Sequence, residues 1–257
     1  MTMQEKPNRK YVLDAIRGLT ILSMIGFHTC WDLYYFSMGI TADMLFGRKA
    51  YIWQQSICYT FILLSGYCFS FGYHHFKRGL LSLLGGIVIS IVTMTVIPDE
   101  RDLFGVLWLL GSSMLVMILP DRLFVKIKSS FANALLLLFF LVLFVITRNV
   151  NSGFLGFEGL NLVRLPEKLY NGYFMTYLGF PDPTFYSSDY FSFIPWFFLF
   201  CTGYFLEKVL RNKSFVNRFY SFRFKPLEFM GRHSFVIYML HQVVIYGVVF
   251  VINMLIH

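Results

Sequence analysis

The stretch SFVIYMLHQVVIYGVVFVINMLI, Ser234–Ile256, runs for 23 residues without an Asp, Glu, Lys or Arg. A hydrocarbon slab about 30 Å thick is crossed by about 20 helical residues at a rise of about 1.5 Å each. The segment therefore reads as a membrane-spanning helix. Gly79–Ile97, Leu103–Leu119 and Tyr190–Leu206 are equally free of charge, and Phe131–Thr147 carries a single Asn. Val12–Phe36 and Trp53–Tyr73 are apolar with a few polar residues. Seven spans follow, near 12–36, 53–73, 79–97, 103–119, 131–147, 190–206 and 234–256. The expectation is an all-α polytopic bundle forming a single integral-membrane domain over 1–257. Composition agrees: 57% of residues are hydrophobic and 14% charged, against roughly 25% charged in a soluble domain. The short alternations of a membrane β-barrel do not occur.

The charges predict the orientation. With seven spans, residues 1–11, 74–78, 120–129 and 207–233 share one side and hold fifteen Lys or Arg against four acids. Residues 37–52, 98–102, 148–189 and the C-terminus share the other, with six against eight. Excess Lys and Arg mark cytoplasmic loops, so the N-terminus is expected in the cytoplasm and the C-terminus outside. The net charge of +8 then reports topology and contact with anionic lipid heads. No soluble basic domain exists to present it to nucleic acid. The first apolar run is too long for a cleaved signal and lacks a small-residue cleavage site. Cys30, Cys58, Cys68 and Cys201 are scattered within spans without metal-type spacing, so they read as packing residues and no metal is expected.

Two connections are long. The inner one, Glu207–His233, is basic and aromatic and suits an amphipathic segment lying on the lipid surface. The outer one, Arg148–Asp189, is rich in Gly, Pro, Tyr and Phe; long ordered loops of this kind serve as lids or binding loops. FILLSGYCFSFGYHHFKR and FFLFCTGYFLEKVLR echo each other weakly, without establishing a repeat.

The first span carries four ionisable groups, Asp14, Arg17, His28 and Asp32. Each costs at least about 2.5 kcal/mol in a membrane unless paired or wet. Eleven residues from Arg17 to His28 make three turns plus roughly 20°, so both share a face, joined by Asp14 and Asp32. This polar stripe can be an ion-pair seam between helices or a functional site. An Asp one turn from a His can orient the imidazole for general-base work. Arg suits phosphate, and its separation of about 16 Å from His28 is comparable with an extended pantetheine arm. A cytoplasmic Arg17 could hold the phosphates of coenzyme A while His28, deeper in the membrane, meets the thioester.

LDAIRGLTILSMIGFHTCWD resembles the first helix of the transmembrane acyltransferase superfamily, in which an Arg, ten residues and a His recur. More narrowly, four segments resemble bacterial relatives of heparan-α-glucosaminide N-acetyltransferase: this first helix, FILLSG, LGFPDPTFYSSDYFSFIPWFFLF with TGYFL, and PLEFMGRHSFVIYMLHQ. The resemblance implies acetyl transfer from cytoplasmic acyl-CoA to a saccharide or other small acceptor reached from outside, in a multi-pass protein of the bacterial cytoplasmic membrane. It also implies a homodimer. It carries to Asp14, Arg17, His28, Ser65, Gly66, Asp182, Ser187, Asp189, Tyr190, Gly231, Ser234, Tyr238, His241 and Gln242. The lysosomal enzyme of the family has a His after the first span, whereas residues 37–52 here have none, which leaves His28 as the base. FGVLWLLG resembles a stretch where His often stands at the position of Trp108.

Within the last span, Ser234, Tyr238 and His241 fall on one helix face, with Gln242 adjacent. His28, Asp32 and His241 are therefore expected to be catalytic. Arg17, Asp14, Ser234 and Arg232 are assigned to the acyl-CoA donor. Gln54, Gln55, Asp182, Ser187, Asp189, Tyr190, Tyr238 and Gln242 are assigned to the acceptor; Gln54 and Gln55 begin the second span from outside. His74 and His75, beside Lys77 and Arg78, read as headgroup contacts. Two other functions fit the same polar stripe: a small seven-helix solute transporter with a proton relay, or a non-catalytic membrane subunit on the same scaffold.

Overall fold

Residues 10–211 and 213–256 are described by a computed structural model, which is mostly helical. In chain order the helices are α1 Tyr11–Tyr35, α2 Ala42–Phe46, α3 Arg48–Phe69, α4 His75–Val96, α5 Val106–Phe124 and α6 Ser130–Ile146. They continue with α7 Tyr173–Leu178, α8 Phe193–Leu210, α9 Ser214–Tyr220, α10 Lys225–Arg232 and α11 Ser234–Ile256. A helix thus occupies each apolar block of the sequence. Four of them, α4, α5, α8 and α11, are long and apolar enough to cross a membrane. Their surfaces agree with that role. Leu81, Ile91 and Val92 of α4, and Leu240, Val244, Val251 and Leu255 of α11, are exposed. Contiguous apolar surface of this kind is stable against lipid and costly against water. The chain is an integral-membrane helical protein. Lys6 and Arg9 of the inner basic set lie outside the described residues.

By their contacts the described residues group into two compact units, one within 1–61 and 212–257 and the other within 62–211. In the first, α1 packs against α10 and α11. Glycines permit the closest approach. A Cβ on Gly18 would stand 2.0 Å from the Leu227 carbonyl oxygen, and one on Gly231 would stand 1.8 Å from that of Asp14. Backbone meets backbone here, and no flexible side chain can yield. Overpacking of this kind costs typically 1–3 kcal/mol. Gly231→Ala should therefore lower Tm by several degrees, at about 2–4 °C per kcal/mol for a chain of this size. An unchanged melting curve would contradict the close packing. Helix α1 ends where Ser37 takes φ 56° and Gly39 takes φ 81°. Thr41 then caps α2, its side chain accepting from Met44 N.

In the second unit α4 packs on α5 and α6 on α8. The echo noted in the sequence has a packing meaning. A Cβ on Gly66 of α3 would meet the Phe200 carbonyl oxygen at 1.9 Å, and one on Gly203 of α8 the Leu63 carbonyl oxygen at 2.0 Å. The two glycines, each followed by Tyr, form a reciprocal contact between α3 and α8. Stacked Phe140 and Phe205, 5.5 Å apart, join α6 to α8.

Residues 148–189 contain structure that the hydropathy pattern does not predict. Strands β1 Phe154–Phe157 and β2 Leu160–Arg164 form an antiparallel hairpin. Asn149 Nδ2 donates to the carbonyls of Glu158 and Leu160 and to Asn161 Oδ1, which fixes the hairpin tip. Four- and five-residue strands are too short to leave a legible alternation.

Candidate functional site

The polar groups of α1 and α11 meet within the first unit. Arg17 and His28 lie on one unbroken helix. Arg17 Nη1 donates to Asp14 Oδ1 at 3.2 Å, a long ion pair for a charge-assisted bond. Asp14 is buried at 7% exposure, under Gly231 of α10. The Arg17 end of this unit also collects Lys10, whose ammonium lies 4.0 Å from the Tyr220 ring centroid, and Arg223, 3.5 Å from that of Tyr11. Glu228, 1% exposed, accepts from Arg223 Nε and from Phe224 N. Arg232 is exposed at the end of α10, and Ser234 opens α11 part-buried.

About three turns along α1 from Arg17 the centre changes character. The rings of His28 and His241 face each other edge to face with centroids 5.0 Å apart. His241 Nδ1 lies 2.6 Å from the Tyr238 carbonyl oxygen. A carbonyl can only accept, so Nδ1 carries a hydrogen, and in the neutral ring Nε2 bears the lone pair. Asp32, 2% exposed, accepts from Gln242 Nε2 at 2.9 Å. The expected bond between Asp32 and His28 is not among those of the described residues. From His28, Asp32 is about 40° further round the helix and about 6 Å along it, and its carboxylate reaches across to α11 instead. The pairing is thus between helices: His28 with His241, and Asp32 with Gln242.

Asp32 Oδ2, His241 Nε2 and Gln242 Oε1 are buried without a hydrogen-bond partner among the described residues. Given this tautomer, all three are acceptors. Each suits a donor group such as an amine or hydroxyl, since buried acceptors left unmatched are costly. Tyr238, buried at 9%, sets its ring 5.3 Å from that of His241. On α3, Gln54 is exposed and Gln55 part-buried, while the neighbouring Trp53 Nε1 donates to Ser23 Oγ at 2.8 Å.

The other sequence-predicted residues belong to the second unit, where they hold the loop together. Asp182 accepts from Gly172 N and from the backbone and hydroxyl of Thr184, which depress its carboxyl below the usual range. Ser187 Oγ accepts from Leu103 N, and Tyr190 OH donates to the Thr176 carbonyl. Trp108 fills the notch at Gly86 and donates from Nε1 to Ser90 Oγ at 3.0 Å. His75 stacks on Phe69, centroids 3.9 Å apart, which is more than a headgroup contact.

Asp102 escapes sequence reading: it stands in an ordinary acidic loop, PDERD, with no spacing to single it out. Its carboxylate lies over Gly105, where a Cβ would meet Oδ1 at 2.5 Å, and Oδ1 has no partner among the described residues. Burial, then the charge of Asp189, raises the Asp102 carboxyl; burial raises Asp189 as well. The folded chain therefore holds protons that unfolded carboxylates release above about pH 4. Stability is full below that point and falls as pH rises through the raised pKa values. Tm should decline between pH 5 and 8, and Asp102→Asn should flatten the decline and raise Tm at pH 8. An unaltered slope in Asp102→Asn would refute the assignment.

The description "Heparan-alpha-glucosaminide N-acetyltransferase, catalytic" belongs to the family that matches residues 9–243. That match includes every residue just described on α1, α3 and α10, and α11 as far as Val243. No curated protein and no solved structure matches the chain. Among the described residues no group of three or more His, Cys, Asp or Glu is disposed to hold a metal.

Proposed function

The chain belongs to the heparan-α-glucosaminide N-acetyltransferase catalytic family, a membrane acetyltransferase family, and from that premise we propose that it moves an acetyl group from cytoplasmic acetyl-CoA to a saccharide or other small amine or hydroxyl acceptor on the outer side. The observation that carries this reading is the His28–His241 pair, 5.0 Å apart, with His28 on the helix that also bears Arg17 about 16 Å away along its axis.

Arg17, with Arg232 at the end of α10 and Ser234 at the start of α11, binds the phosphates of the donor, and Asp14 orients Arg17. The pantetheine arm runs along α1, so that the thioester reaches His28. The acceptor donates its hydrogens to Asp32 Oδ2, Gln242 Oε1 and His241 Nε2. His241, or His28 across the pair, removes the proton as the acceptor attacks the thioester carbonyl carbon. The new C–N or C–O bond forms, the C–S bond breaks, and the imidazolium returns its proton to the departing thiolate. Tyr238 closes the centre beside His241. Gln54 and Gln55 of α3 shape the approach of the acceptor. Seven spans, a cytoplasmic N-terminus and an outer C-terminus complete the reading, in the bacterial cytoplasmic membrane and as a homodimer; the Lys and Arg asymmetry supports the orientation.

The test is release of free CoA thiol by the purified protein with acetyl-CoA and a panel of amino sugars and neutral saccharides. Acceptor-dependent release is expected. Accumulation of a solute in proteoliposomes without acetyl-CoA would point to a carrier instead, and neither activity would leave a scaffold subunit.

A further inference from the structure

A cavity of about 180 Å³ lies in the first unit among α1, α2 and α3, lined by Phe27, Cys30, Met44, Leu45, Ala50 and Trp53, with Lys49 as its one charged wall. It is away from the polar stripe. Phe27 and Cys30 stand about 100° behind and 200° ahead of His28 on α1 at 3.6 residues per turn. Trp53 is held in the wall by its bond to Ser23 and by its edge contact with Phe27, centroids 5.3 Å apart.

Apolar cavities of this size stay dry and take apolar guests. This one has room for roughly six groups of about 30 Å³, the share of a water and close to that of a methylene. Its surroundings select the guest. Met44, Phe46 and Ile52 on the same elements are exposed, so the rim is apolar surface of the kind that lipid covers. Lys49 is exposed, next to Arg48. With Asp43 of α2 as the one acid in this stretch, residues 37–52 carry two cations against one anion. A cation at the mouth of an apolar cavity in a membrane protein complements a phosphate head above an acyl tail.

We propose that this cavity binds one acyl chain of an anionic phospholipid, with Lys49 on the phosphate. The tail enters from the lipid side, against Trp53, Phe27 and Ala50. The site is separate from the acetyl-transfer centre and does not depend on that assignment.

Native mass spectrometry of the whole protein, equilibrated with equimolar phosphatidylglycerol and phosphatidylcholine in detergent, tests it. One retained phosphatidylglycerol per chain is expected, with phosphatidylcholine at least tenfold less. Lys49→Glu should abolish the preference and Lys49→Arg should keep it; position 49 is exposed, so neither depends on repacking. Ala50→Leu fills the cavity and should lose the lipid with little change in Tm. Brominated phosphatidylglycerol should quench wild-type tryptophan fluorescence, and Trp53→Phe should remove that part of the quenching. Equal retention of both lipids, or retention unaffected by Lys49→Glu and Ala50→Leu, would mean only annular lipid and overturn the proposal. A lipid-free dimer that Ala50→Leu dissociates would overturn it too, because a second copy would then cover the cavity.

Discussion

His28→Ala should lower acetyl transfer by about 10²–10⁴-fold, the usual range for loss of a general acid–base group, with CoA affinity nearly intact. His28 is expected to act because its ring meets His241 at 5.0 Å within a buried polar centre. The geometry extends the expectation. His241 presents Nε2 as a lone pair, with Nδ1 committed to the Tyr238 carbonyl, so His241→Ala should cause a loss of the same order. If the two act as a unit, the double variant should cost little more than either alone. Asp32→Asn should fall between these and wild type, since an amide at that position keeps a bond to Gln242 but removes the charge. A purely structural role would look different: Tm, yield and CoA binding would fall together in His28→Ala. The checks are transfer rate, CoA affinity and Tm on the same purified variants.

The second large effect concerns the donor. Arg17→Ala should weaken CoA binding by about 10–100-fold, from hydrogen bonds to a charged group worth about 1.5–3 kcal/mol. Arg17→Lys should recover part of this, because an ammonium lacks the planar fork that matches phosphate. Loss of the part-buried Asp14 ion pair, 3.2 Å long, would show instead as a lowered Tm. CoA affinity unchanged in Arg17→Ala, measured by calorimetry, would leave Arg17 as a structural partner of Asp14.

Elements set by local pattern were readable from the sequence. The charge-free runs at Gly79–Ile97 and Ser234–Ile256 became α4 and α11 within a few residues, because periodicity and length are properties of the segment itself. The shared face of Asp14, Arg17, His28 and Asp32 follows from helical spacing alone. What spacing could not give was the partner across the helix interface. It suggested Asp32 for His28, since they are four apart; the fold gave Asp32 to Gln242, 210 residues away in sequence. The same limit explains Asp182 and Ser187. They stand out as polar residues in a long aromatic loop, but spacing did not give their bonds to Gly172, Thr184 and Leu103. The echo of SGY in TGY was visible but without meaning until Gly66 and Gly203 were found packed each against the other helix's backbone. Asp102 and the Asn149-pinned hairpin left no signal, because burial and tertiary hydrogen bonding decide both.

The central claim is that the α1–α11 histidine pair transfers acetyl groups across the membrane from CoA. The direct measurement uses sealed proteoliposomes with a saccharide acceptor, identified by the thiol-release panel, trapped inside and acetyl-labelled acetyl-CoA added outside. Labelled acceptor should accumulate in the lumen with wild-type protein and fall to background with His28→Ala at equal protein incorporation. Lumenal labelling by His28→Ala within a few-fold of wild type, or label transferred only to acceptor on the acetyl-CoA side, would contradict the account.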